Sequence, residues 1–118
     1  MQLDHVVIRV RSLEASLPWY ARCLACSASP KPAIMSGPTG RWRSTFRRCE
    51  PGTHDYHRFG PGLNHLGFTA PEEAALDRVR KGMAEAGFGV PEKQHFGKET
   101  ATFFKDPDGL RLEVTVYS

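Results

Sequence analysis

The chain has 118 residues, 40% of them hydrophobic and 25% charged, with a net charge of +3 and a pI near 8.9. That length makes one domain, residues 1–118, which buries about two-thirds of its unfolded surface and leaves room for one active site or half of one. Both signs of charge are mixed along the chain with no nucleic-acid motif, and no apolar run approaches the ~18 residues of a membrane span, so neither nucleic acid nor membrane is an expected partner.

The first residues, Met1-Gln2-Leu3-Asp4, have neither the basic nor the apolar region of a secretory leader. Three cysteines, an odd number, suit a reducing compartment, and a cytoplasmic location is expected. Cys23 and Cys26 form a C-x-x-C without a second pair, a weak signal for metal or redox use.

Leu3 to Val10 reads as a strand with Val6, Ile8 and Val10 on one face and His5, Val7 and Arg9 on the other. Leu13, Leu17, Tyr20 and Leu24 then recur at helical spacing, with Ser12 or Ser16 as N-cap. Pro18 argues for a start near Ser16 or a kinked first turn. Ser27 to Ile34, broken by Pro30 and Pro32, reads as a poor edge strand. Gly37-Pro38-Thr39-Gly40 turns the chain into a strand over about Arg41 to Cys49, and Glu50-Pro51-Gly52 turns it again before His54-Asp55-Tyr56-His57-Arg58-Phe59. Arg41, Arg43, Arg47 and Arg48, interleaved with Trp42 and Phe46, make either a solvated strand face or an anion-binding one.

Gly60-Pro61-Gly62 reads as a linker, after which the pattern repeats. Leu63-Asn64-His65-Leu66-Gly67-Phe68 echoes Leu3-Asp4-His5-Val6-Val7-Ile8. Pro71, Glu72 and Glu73 open a helix whose buried stripe is Leu76, Val79, Met83 and Ala86, and Gly87 stops it. A strand near Phe88 to Val90 and another from Thr100 to Lys105 lead to the turn Asp106-Pro107-Asp108-Gly109. The last strand alternates strictly, with Leu110, Leu112, Val114 and Val116 on one face and Arg111, Glu113, Thr115 and Tyr117 on the other. Each half is thus predicted as strand, helix and three strands, in modules of about 1–59 and 62–118.

His5 and His65 sit on the non-aliphatic faces of equivalent strands, and Glu113 is a carboxylate in mid-strand. Two imidazoles and a carboxylate with open positions suit a divalent Fe, Mn, Ni, Co or Zn ion. The competing reading is two hydrogen-bonded strand histidines and a solvated glutamate, and spacing alone does not choose between them.

Leu3-Asp4-His5-Val6, Trp19-Tyr20-Ala21-Arg22-Cys23-Leu24, Gly62-Leu63-Asn64-His65-Leu66-Gly67-Phe68 and the run from Phe103 to Glu113 make the whole chain resemble the vicinal oxygen chelate superfamily. That group includes glyoxalase I, extradiol dioxygenases, methylmalonyl-CoA epimerase, fosfomycin-resistance enzymes and bleomycin-resistance proteins. The resemblance implies an α+β fold of two βαβββ modules forming an incompletely closed barrel. It carries His5, His65 and Glu113 over as ligands of a divalent metal that chelates vicinal oxygens of a small substrate. Aligning Gly40 with Gly97 sets Tyr56 opposite Glu113, where glyoxalase I and the epimerase supply a further Glu or Gln.

Tyr56 and His54 are therefore the candidate catalytic residues, and Arg9, Trp42, Phe46, Phe103 and Arg111 the candidate substrate contacts, with Arg9, Arg48 or Arg111 available for an anion. Ala101 and Phe103 stand where fosfomycin-modifying members carry hydroxyls, which argues against phosphonate recognition. A lyase or isomerase is the leading expectation. An extradiol-type dioxygenase and a non-catalytic drug-binding module are the alternatives. Exposed sheet edges in so short a chain make a homodimer the expected state.

Overall fold

The computed structural model describes residues 4–24, 34–36 and 43–118, in two compact units, Met1–His54 and Asp55–Ser118. The fold is α+β, with two helices and seven strands among the described residues, and the strands form two separate sheets. No helix among the described residues is long and apolar enough to cross a membrane.

In the first unit, β1 (His5–Val10), α1 (Leu13–Cys23), β2 (Ile34–Ser36) and β3 (Arg43–Arg48) give a sheet of order β1-β3-β2. Ile8 and Val10 turn inward from β1 and Ser44 and Phe46 from β3, as a period of two requires. The helix starts at Leu13, earlier than Pro18 suggested, because the Ser12 hydroxyl accepts from the Ala15 N–H at 3.2 Å and Glu14 occupies the first turn. Pro18 lies on the exposed side. The buried stripe is Ser16, Trp19, Tyr20 and Cys23, with Leu24 just beyond it; of the expected residues Tyr20 and Leu24 are buried while Leu13 and Leu17 are half-buried, and Trp19 packs edge to face on Tyr20 with centroids 4.9 Å apart.

The second unit contains β4 (His65–Thr69), α2 (Glu73–Glu85), β5 (Gln94–Phe96), β6 (Glu99–Lys105) and β7 (Arg111–Tyr117), in sheet order β4-β7-β6-β5. This is the predicted βαβββ module, with β5 a few residues later than expected. Leu76 and Met83 of α2 are buried, as are Phe104, Leu112, Val114 and Val116 of the sheet. Arg80 ties the helix to the sheet by donating to the Pro91 carbonyl and, at 3.1 Å, to the Thr102 hydroxyl. Gly87, at φ 79°, ends α2 with the Phe88 N–H on the Met83 carbonyl, a closure that needs a left-handed residue.

The β6–β7 turn is built as the sequence reads. The Gly109 N–H closes on the Asp106 carbonyl at 3.0 Å, and the buried Asp106 carboxylate accepts from the Asp108 and Leu110 N–H groups at 2.9 and 2.8 Å. Gly109 has φ 92°, where any side chain is strained.

The predicted third strand of the first module, over His54–Phe59, does not form: these residues carry no regular structure, and the second unit begins at Asp55. The segment has no aliphatic residue to give it a core face, and β1 already pairs in parallel with β3.

Leu112, fully buried in β7, is expected to cost about 2–5 kcal/mol when cut to alanine. Gly109→Ala should destabilise by about 1 kcal/mol or more through backbone strain. Urea unfolding monitored by circular dichroism measures both.

Candidate functional site

Parallel pairing of β4 with β7 sets His65 beside Arg111 and Gly67 beside Glu113. His65 and Glu113 leave the sheet on the face opposite Leu112 and Val114, and His65 Nε2 lies 3.1 Å from Glu113 Oε2. Their side chains are 40% and 21% exposed, so this end is open to a small ligand without being fully solvated.

Both groups are held from behind. Asn64 donates through Nδ2 to the Arg58 carbonyl at 2.8 Å, which turns its Oδ1 toward His65 Nδ1, also at 2.8 Å. An amide oxygen only accepts, so His65 Nδ1 carries a hydrogen and donates it, and Nε2 is the nitrogen that faces Glu113. Glu113 Oε1 accepts from the Thr115 hydroxyl at 2.7 Å. His65 Nε2 and Glu113 Oε2 thus meet at 3.1 Å, a separation bridged either by a proton on the imidazole or by a cation that the two share. Two donors on adjacent octahedral positions at ~2.1 Å from a metal stand about 3.0 Å apart, so the spacing fits a shared divalent ion. Among the described residues no group of three His, Cys, Asp or Glu side chains is assembled as a metal cage.

His5 repeats the arrangement within the first unit. Its Nδ1 donates to the Asp4 carboxylate at 2.6 Å, so each histidine is oriented by the residue just before it. The strand registers also correct the internal alignment. His5 pairs with Arg43 and Val7 with Thr45, as His65 pairs with Arg111 and Gly67 with Glu113. The counterpart of Glu113 is Thr45, not Tyr56. Counted back from Arg43 and Arg111 along the sequence, Gly40 falls beside Asp108 and Gly109 and not opposite Gly97.

The sequence model of the glyoxalase family, described as the Glyoxalase/Bleomycin resistance protein/Dioxygenase superfamily, matches residues 2–114. The chain belongs to this superfamily. Among solved structures, a glyoxylase/bleomycin resistance protein/dioxygenase domain from Frankia sp. EAN1pec is 24% identical, with a TM-score of 0.82 over 100% of this chain and 93% of that one. A glyoxalase-type protein from Bacillus halodurans is 25% identical, with a TM-score of 0.78 over 97% of this chain and 94% of that one. A glyoxalase/dioxygenase from Nostoc punctiforme is 17% identical, with a TM-score of 0.77 over 99% of this chain and 91% of that one. No curated protein matches the chain.

Other residues predicted for this superfamily member are placed as follows. Phe103 stands edge-on to His65, with centroids 6.1 Å apart, and the Arg111 guanidinium covers the Phe103 ring at 4.5 Å. Phe46 is no cleft residue: it is 1% exposed and packs on Tyr20 with centroids 4.5 Å apart, because an aromatic on the inner face of β3 fills the core. Arg9 is exposed and bonds the Arg48 carbonyl and Glu50. His54 is exposed in the segment after β3, and Trp42 and Cys26 lie outside the described residues. Sequence reasoning passed over Asn64, Thr115 and Asp4, although an Asx residue directly before each repeated histidine was a readable signal.

Tyr56 packs against Gly109 and bonds the carbonyls of Leu63 and Asn64 at 2.7 and 2.8 Å, so its hydroxyl braces the loop that delivers His65. Burial, and then the Asp106 carboxylate, push its phenol above the ordinary value. A raised folded-state pKa means that this stabilisation is complete below about pH 10 and is lost as pH climbs through the folded value. Tyr56→Phe should cost about 1 kcal/mol at neutral pH and flatten the alkaline loss of stability, as read by urea unfolding across pH.

Proposed function

We propose that the chain is a small metal-dependent enzyme that acts on two vicinal oxygens of its substrate, with His65 and Glu113 as protein donors in the second unit and His5 as the equivalent candidate donor of the first. The observation that carries this reading is the convergence of His65 Nε2 and Glu113 Oε2 to 3.1 Å on the open face of the sheet, each held from behind by a neighbouring side chain. Superfamily membership supports it, since such proteins commonly use divalent metals. The bound ion would supply Lewis acidity toward the substrate oxygens. The chain's own part is orientation: Asn64 and Asp4 hold their histidines in one tautomer, and Thr115 holds one oxygen of Glu113.

Thr45 bears on the reaction class. A proton-shuttling lyase of the glyoxalase I kind needs a carboxylate or amide at that strand position, and a threonine hydroxyl is a poor base at neutral pH. A threonine in place of that carboxylate or amide favours the extradiol-type oxygenase reading over the lyase reading.

Protein purified without chelator should contain close to one equivalent of a divalent metal by elemental analysis. His65→Ala and Glu113→Gln should lose it, and Asn64→Ala should weaken it about 10- to 100-fold. Wild-type metal content in His65→Ala would defeat the reading. Fe(II) loading under anaerobic conditions, followed by a catechol and air, should give a yellow ring-cleavage product. A thiohemiacetal offered with Ni or Zn should give no thioester product.

A further inference from the structure

The face of the second sheet that carries His65 and Glu113 also carries two cations. Lys105 pairs directly across from Arg111 in the antiparallel β6–β7 ladder, and Arg111 pairs with His65 on its other side. Like charges placed directly opposite on neighbouring strands destabilise a sheet. Among the described residues no carboxylate pairs with either, and neither side chain makes a hydrogen bond; Arg111 Nε is buried with no partner. The guanidinium is nevertheless held in place by its stacking over Phe103, at 4.5 Å.

These residues wall a pocket of ≈ 490 Å³ whose remaining lining includes Val90, Pro91 and Gln94. That volume is within the range of small-molecule sites. One wall is therefore cationic and planar, and another is apolar. A guanidinium fixed flat on an aromatic ring, with unpaired donors and an ammonium beside it, matches a planar anion bound through two oxygens.

We propose that this pocket is a carboxylate subsite, which takes a small carboxylic acid with a compact aryl or branched apolar body. The carboxylate lies on Arg111 and Lys105, and the body lies against Val90 and Pro91. His65 pairs with Arg111 and stands edge-on to Phe103, so the carboxylate end of the bound acid is the end next to His65 and Glu113. That this acid belongs to the substrate class rests on the metalloenzyme reading above. The binding of the anion does not.

The test is calorimetric titration of chelator-treated full-length protein with benzoate, benzamide and phenylphosphonate. Benzoate should bind saturably, and benzamide at least about tenfold more weakly. Arg111→Gln should weaken benzoate about 10- to 100-fold, Lys105→Gln several-fold, and Arg111→Lys by an intermediate factor, since it keeps the charge and loses the planar donor pair. Lys105 is exposed, so Lys105→Gln keeps the test readable if Arg111→Gln fails to fold. Equal binding of benzoate and benzamide, or unchanged affinity in both glutamine variants, would overturn the subsite; tighter binding of phenylphosphonate would overturn its assignment to carboxylates. Metal content measured on the same samples separates the two readings. A failed metal site leaves benzoate affinity intact, and a failed subsite leaves metal content intact.

Discussion

The parallel pairing of the first and last strands within each unit is the constraint on which the rest of the structure depends. It fixes which side chains of β7 flank β4, and hence that Glu113 stands beside Gly67 and diagonally from His65. A slip of one residue would turn Glu113 toward Phe104 in the core and bring Leu112 and its aliphatic neighbours to the open face. The alternation of Leu110, Leu112, Val114 and Val116 forbids that slip, since four buried aliphatics would be exposed at once. The position of the candidate donors is thus a consequence of hydrophobic burial on the opposite side of the same strand.

Much of the second unit was legible because its signals are local. The Asp106-Pro107-Asp108-Gly109 turn, the alternation of β7 and the Leu76/Met83 stripe of α2 each need only a few neighbouring residues to be recognised. The first unit was harder. Its last strand, β3, is short and arginine-rich, and its inward positions are Ser44 and Phe46, so it does not advertise itself as the counterpart of β7. Counting without gaps from the wrong glycine then moved the comparison from Thr45 to Tyr56. Only pairing geometry, His5 with Arg43 as His65 with Arg111, could correct it.

Site residues followed the same division. Donor types could be read from sequence, but their supports could not, because Asn64 matters through a bond to the Arg58 carbonyl and Thr115 through a contact with its strand neighbour Glu113. Phe46 misled because an aromatic among arginines looks like a binding face, while alternation in β3 sends it inward onto Tyr20. The pocket at Arg111 needed two facts absent from a linear reading: Lys105 is its cross-strand partner, and Phe103 lies beneath its guanidinium.

The central claim is that His65 offers an imidazole Nε2 lone pair that shares a cation with Glu113. Nitrogen-15 NMR of the His65 ring in chelator-treated protein, before and after one equivalent of Zn(II), tests it most directly. The Nδ1-protonated tautomer should be present at the start, and metal should move the Nε2 resonance while leaving the Nδ1 hydrogen on Asn64. An Nε2-protonated ring at the start, or an Nε2 resonance that ignores the metal, would contradict it.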